Sequence, residues 1–355
     1  MSPYLSGRLG GMQPYVPGEQ PRDREYVKLN TNESPFPPLP AAVQAAEREA
    51  RDLNLYSDPE CLALRKKLAA LHGIDAGQVL VTNGSDEALN YVFLAYGDDE
   101  RPFLFPDITY GLYPVLCRLY GIPFWQIPLR EDFTVDTAAC RSAHEPLILA
   151  NPNAPTGIAL PRAEIEQLLA LDPGRMVAVD EAYVDFGGET CVPLVDRYPN
   201  LVVVQTFSKS RSLAGARLGM IFGCRERVEE LNAVRCSLNP YNVNSMTLAA
   251  GAAVLDENDK YMQNCRRIAE TREDTKRKLE ALGFEVLPSR SNFLFACRRG
   301  LDGGRYYRML KERGVLIRHF GQERIRNWVR ISIGSPEQMR ILLRKTEEIL
   351  KEERI

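Results

Sequence analysis

Short, uninterrupted apolar runs separated by segments of helical periodicity constrain this chain more than anything else in it. Residues 78–82 (QVLVT), 103–105, 147–150, 176–179, 201–205 and 220–222 are too short for helices and rich in Val, Leu, Ile or Phe. Between several of them apolar positions recur at helical spacing. Residues 60–72 do so, as do 85–96, where Ser85 reads as the cap, and 163–171, with Ile165, Leu168 and Leu169 on one side. A strand that is apolar at every position has to be covered on both faces. Strands alternating with helices meet that need as a mostly parallel, mixed sheet flanked by helices. The expected fold class is α/β.

The texture changes beyond about residue 240. A long charged helix spans 258–282 and stops at Gly283, a residue suited to the left-handed position after a helix. Strand patterns follow at 293–296, 315–317 and 329–333. The last helix opens with Ser335, Pro336, Glu337 and Gln338, a capping box with proline at the first helical position. Its apolar stripe is Met339, Leu342, Leu343, Thr346, Ile349 and Leu350. This order predicts a smaller α+β domain. Residues 1–40 hold clusters of Gly and Pro, which favour an extended arm, and Tyr15, Tyr26 and Phe36 give that arm groups with which to dock. The expected organisation is an arm over 1–40, a large domain over 41–250 and a small domain over 251–355.

With 45% hydrophobic and 26% charged residues, the 355-residue chain can bury a substantial core. A net charge of −2 gives no general attraction to nucleic acid or to anionic membrane. The basic runs at 265–267 and 276–278 are interleaved with Glu270, Glu273, Asp274 and Glu280, as on a solvated helix face. Eight cysteines without a CxxC pair suit neither a zinc site nor a disulfide framework, and no metal is expected. No apolar run reaches membrane-spanning length and the start lacks a signal-peptide pattern, so the expected compartment is the cytoplasm.

Three groups of residues could carry chemistry, and each follows a strand pattern, where ligands bind in parallel sheets. Residues 82–86 (TNGSD) turn from a strand through Gly84 into a helix start. The free amides there suit an anion, although a plain capped turn would look the same. Asp180 ends the run VAVD and would need hydrogen bonds or a cation to stay ionised, unless it merely caps a helix. Lys209 follows LVVVQTFS and precedes Arg217. Taken alone it is as ordinary as a surface lysine, but desolvation and nearby cations would make its amine nucleophilic.

Taken together, Asp180, Lys209 and Arg217 in this order resemble the fold-type I enzymes that use pyridoxal 5′-phosphate (PLP). The segment 151–157 (NPNAPTG) resembles that family's NPxNPTG, with Ala154 where the pattern has Asn. The resemblance implies a PLP transferase fold, with Lys209 as the amine that bonds to the cofactor and moves protons. It implies Asp180 at the ring nitrogen, Tyr183 at the ring oxygen and Tyr110 on the ring face. Gly84, Ser85, Asp86, Ser208 and Arg217 would take the phosphate, and Asn153 would stand in for the missing Asn at 154.

Further segments narrow the resemblance to the histidinol-phosphate aminotransferases. Residues 13–18 (QPYVPG) resemble their PYVPG signature, and 28–35 (KLNTNESP) their KLNxNENP segment. The resemblance implies Tyr15, Asn32, Arg318 and Arg330 as substrate-binding residues. It also implies a homodimer in which Tyr56 reaches the neighbouring subunit's cofactor phosphate. The implied reaction exchanges an amino group between histidinol phosphate and 2-oxoglutarate in histidine biosynthesis. An aromatic amino acid aminotransferase, a threonine-phosphate decarboxylase and a non-catalytic PLP-binding regulatory module stay open as alternatives.

Overall fold

In the computed structural model, which describes residues 4–354, the apolar runs become the strands of a seven-stranded sheet. In chain order the strands are β1 (Val27–Lys28), β2 (Val79–Thr82), β3 (Phe103–Pro106), β4 (Phe124–Ile127), β5 (Leu147–Ala150), β6 (Val177–Asp180) and β7 (Leu201–Thr206). They continue with β8 (Gly219–Gly223), β9 (Glu285–Val286), β10 (Phe293–Cys297), β11 (Val315–Leu316), β12 (Arg318–His319) and β13 (Val329–Ser332). The large sheet runs β2-β8-β7-β6-β5-β3-β4. All its strands point one way except β8, which is antiparallel to both neighbours.

Burial follows the strand period of two. Leu147, Leu149, Val177, Val179 and Val203 pack into a core on one face, while Ile148, Ala178, Val202 and Val204 pack into another on the opposite face. Each such Val, Leu or Ile side chain contributes roughly 1.5–3 kcal/mol on leaving water. This double burial is why β2, β3, β5, β6, β7 and β8 are mainly apolar, with polar residues only at the C-terminal ends of β2, β6 and β7. Edge strand β4 is different, with Trp125 and Gln126 exposed, and it carries no such run.

A four-stranded antiparallel sheet, β12-β13-β10-β9, surrounds a third core. The helix Pro336–Glu353 buries all six residues of its apolar stripe, and Ser335 and Gln338 form the capping box. Gly283 takes φ +81° just beyond the helix Asn258–Ala281. The arm is joined to this region by β1, which pairs in parallel with β11. Leu29 lies in the third core, and its carbonyl accepts the Ser332 N–H.

One local expectation needs correcting. The helix expected over 85–96 spans Gly84–Tyr96, with Asn83 as its N-cap and no side-chain capping bond. Ser85 is therefore inside the first turn. Instead, Glu87 reaches back and accepts the Asn83 N–H at 2.6 Å.

Candidate active site

Along the C-terminal edge of the large sheet, Asp180 of β6 pairs with Ala150 of β5 and Val204 of β7. A cavity of about 490 Å³ opens there, and loops from both sheets and the arm line it. It gathers Tyr15, Asn32, Ser85, Asp86, Tyr110 and Asp180. Tyr183, Ser208, Lys209, Arg217, Arg318 and Arg330 line it as well. Five cations (Arg118 is the fifth) face two carboxylates on this wall, so the cavity favours a strongly anionic ligand.

Asp180 is almost fully buried. Its Oδ2 accepts the Tyr113 hydroxyl at 2.9 Å and its Oδ1 accepts the Ala182 N–H at 3.1 Å. Burial pushes its pKa up to about 6, against the pull of these two donors. Glu181, the next residue, faces away and binds Thr190, Cys191 and Gln205.

Lys209 Nζ donates to the Thr31 carbonyl at 3.0 Å. Burial, followed by the charge of Arg330, brings its pKa down to about 8. Tyr183 accepts a hydrogen bond from Asn32 Nδ2 at 3.0 Å, and Asn32 is itself held by Ser332 Oγ, which donates to its Oδ1 at 2.7 Å. Burial raises the Tyr183 pKa, opposed by Arg330 and by Asn32.

At the helix start, Asp86 accepts the Tyr110 hydroxyl at 3.0 Å and Arg217 Nη2 at 3.0 Å. Gly84, at φ +79°, does not line the cavity, but a Cβ there would lie 2.6 Å from Arg217 Nη2. Gly219 is just as constrained, because its Cβ would fall 2.4 Å from the Gly84 carbonyl carbon. The missing side chains let β8 and Arg217 close on the first-turn amides, which lack helical partners.

Arg330 Nη2 donates to the Asn30 carbonyl at 3.0 Å, while its buried Nε has no protein partner. Its guanidinium lies over Phe293 and Phe320. Arg318 is more fully used, donating to the carbonyls of Val16 and Pro17 at 2.9 and 3.0 Å. It thereby pins the arm segment that carries Tyr15.

The sequence matches the family described as aminotransferase class I and II over residues 24–345. The chain belongs to this aminotransferase family. Histidinol-phosphate aminotransferase 1 of Bradyrhizobium diazoefficiens is 46% identical over 350 residues, covering 99% of this chain and 100% of the relative. The protein of the same name from Pseudomonas aeruginosa is 46% identical, covering 97% and 98%. Among solved structures, the histidinol-phosphate aminotransferase of Sinorhizobium meliloti in complex with pyridoxal-5′-phosphate superposes with a TM-score of 0.85 at 24% identity, covering 93% of this chain and 92% of that one. That likeness shows the fold-type I aminotransferase architecture.

Within this aminotransferase site, three residues named from the sequence do not line the cavity: Asn153, Tyr56 and Gly84, the last of which sits against Arg217. Asn153 is a correction. Its Nδ2 donates to Ile108 O and Thr156 Oγ1, its Oδ1 accepts from Thr109 Oγ1, and it lines a separate cavity of about 300 Å³. Ala154 occupies the wall of the main cavity, so Asn153 does not replace the amide absent at that position. Tyr56 is 82% exposed and stacks on Tyr241 outside this chain's own cavity. Sequence reasoning also missed Tyr113 and Thr31. Tyr113 opens the helix Tyr113–Tyr120, and no sequence signal pointed to it.

Proposed function

We propose that this chain is a PLP-dependent transaminase that exchanges an amino group between histidinol phosphate and 2-oxoglutarate. The observation that carries the reading is the amine of Lys209, held at a pKa of about 8 in a cationic cavity. The near-full-length relatives of that name support the substrate pair.

The residues present fit the cofactor. Lys209 is an amine reachable from the cavity, Asp180 is an acid on the same wall, and Arg217 stands over first-turn amides suited to a phosphate. Bound PLP supplies an electron sink that weakens the C–H bond at the substrate's amino-bearing carbon. With its pKa near 8, Lys209 Nζ can take that proton and give one back near neutral pH. Asp180, once ionised, would hold a proton on the ring nitrogen. Tyr183, fixed by Asn32, would bind the ring oxygen, and Tyr110 would cover the ring face. Ser85, Ser208, Arg217 and the amides of Ser85 and Asp86 would hold the phosphate.

Arg330 offers the free valence needed by a carboxylate or a substrate phosphate. Tyr15 and Asn32 form the adjoining wall. Arg318 adds positive charge from a position fixed by the arm. One site can then serve two anionic substrates in turn.

The same reading includes a homodimer. Segments 53–56 and 238–241 carry five exposed large apolar side chains: Leu53, Leu55, Tyr56, Leu238 and Tyr241. They meet in the Tyr56–Tyr241 stack, with ring centroids 4.4 Å apart. Such a patch suits contact with a second copy, in which Tyr56 reaches the partner's cofactor phosphate. We assign the arm to residues 1–40, the large domain to 41–250 and the small domain to 251–355. Eight free cysteines favour a reducing compartment, the cytoplasm, and no described helix is long and apolar enough to cross a membrane.

Purified protein is to be mixed separately with histidinol phosphate, phenylalanine and threonine phosphate while cofactor absorbance is followed. Histidinol phosphate is expected to give the amino form of the cofactor. If it leaves the spectrum unchanged, the substrate reading is wrong. A Lys209→Ala protein that kept the spectrum of lysine-bound cofactor would overturn the cofactor reading.

A further inference from the structure

The segment carrying Lys209 is fixed by a carboxylate that the proposed reaction does not use. Asp185 lies in the turn Val184–Phe186, two residues after Tyr183. Its Oδ2 accepts the Ser210 hydroxyl at 2.5 Å and Arg211 Nη1 at 2.6 Å. Both donors directly follow Lys209. Arg211 Nη1 also donates to Ser210 Oγ at 3.0 Å, closing a three-membered cluster. The strip from Asp180 to Tyr183 and the strip from Ser208 to Lys209 are therefore tied together at one point.

A second set of contacts fastens this point to the helix Asn258–Ala281. Arg211 Nη2 donates to Asn258 Oδ1 at 3.1 Å, and Cys265 Sγ approaches the Ser210 carbonyl at 3.6 Å. Arg272 of the same helix donates to the carbonyls of Phe186 and Ser291 at 3.0 and 2.7 Å. Burial works against the charge on Asp185. Arg211 and Ser210 overcome it and hold the carboxyl below its ordinary range.

A buried ion pair contributes little net stability compared with a well-packed apolar pair, because desolvation offsets the attraction. What this pair provides is geometry. The Lys209 side chain is a flexible four-carbon stem whose one hydrogen bond among the described residues is to Thr31 O. The position of Nζ thus depends on where the backbone of residues 208–211 sits.

We propose that Asp185 and Arg211 are a positioning pair that sets Lys209 Nζ against Asp180 and Tyr183. The inference rests on the reading of Lys209 as the cofactor-holding amine. Misplacing a reacting group by about 1 Å costs on the order of 10²-fold in rate. A variant of the pair therefore slows every step that uses Nζ and leaves noncovalent cofactor binding intact.

The test uses cofactor-free protein and three variants: Asp185→Asn, Asp185→Glu and Ser210→Ala. Two quantities are measured beside the thermal unfolding midpoint. One is the second-order rate of covalent PLP attachment. The other is the Kd of pyridoxamine phosphate, which binds the same site without bonding to a lysine. In Asp185→Asn the attachment rate is expected to fall about tenfold or more, with the Kd within about twofold of the parent. Asp185→Glu is expected to recover part of the rate. If Asp185→Asn does not fold, Ser210→Ala decides, since it keeps the ion pair and removes one anchor; a several-fold slower attachment is then expected. A folded variant with an unchanged attachment rate overturns the pair's role, as does a parallel loss of both quantities, which marks general loosening. Borohydride trapping on the parent protein separates the two readings. If the trapped peptide does not contain Lys209, the lysine reading falls and takes the positioning pair with it.

Discussion

Replacing Arg330 with Met tests both the substrate site and the tuning of Lys209. The guanidinium has one hydrogen bond to Asn30 O, a buried Nε without a protein partner, and two aromatic rings beneath it. Met keeps much of the apolar contact and removes the charge. Charge-assisted hydrogen bonds contribute about 1.5–3 kcal/mol each, so losing a two-point grip on an anion costs about 3–6 kcal/mol. That is a rise of roughly 10²–10⁴-fold in KM. Because the anion takes no part in the proton transfer at the reacting carbon, kcat is expected to change less than KM.

The same substitution has a second, independent readout. Arg330 is the largest charge acting to lower the Lys209 pKa, after burial. Removing a neighbouring cation favours the protonated amine, so the pKa moves up from about 8 towards its ordinary 10.5. In cofactor-free protein, the pH dependence of Lys209 acylation, followed by peptide mass spectrometry, reports this directly. Steady-state kinetics with glutamate and with histidinol phosphate report the first effect. KM values within threefold of the parent for both substrates, or an acylation midpoint that moves down, would refute the reasoning.

Tyr113→Phe removes a hydrogen bond that favours ionised Asp180, so the Asp180 pKa should rise above about 6. The acid limb of the kcat–pH profile should move to higher pH; a limb that stays put or moves down contradicts the assignment. Gly219→Ala would place a Cβ 2.4 Å from backbone at Gly84. It should cost about 1–3 kcal/mol, seen as a thermal midpoint several degrees lower, and should weaken PLP binding in titrations. On the proposed homodimer, Tyr56→Phe should raise the PLP Kd about tenfold through loss of one bond to a charged group, while the sedimentation coefficient stays that of the parent. Unchanged affinity would remove Tyr56 from the partner's site.

The large sheet was legible because strands covered on both faces can use only apolar residues, as at Leu201–Val204 or Leu147–Leu149. Strand β4 was not, since an edge strand with Trp125 and Gln126 in water has no such restriction. The helix Pro40–Glu49 was hidden by the proline cluster before it, whose last member occupies its first turn. At the site, Asp180 and Lys209 were readable because the first ends an apolar strand and the second comes shortly after one. Tyr113 was not readable as the partner of Asp180, because that contact joins residues far apart in the chain. Asn153 and Ala154 show the limit of motif reasoning. Adjacent side chains point to different cavities, so proximity in sequence said nothing about which one faced Lys209.

The arm's attachment through β1 also sets an order of assembly during synthesis. Leu29, Asn30 and Asn32 are translated long before β11 and β13, yet they are held by Leu316, Arg330 and Ser332. The strand holding Asp180 and the turn holding Lys209 are complete well before either end of the chain can be fastened. A nascent chain therefore carries its reactive amine for some time before its substrate wall exists. The site acquires selectivity only when the arm meets β11 and β13, which couples the onset of activity to synthesis of those two strands.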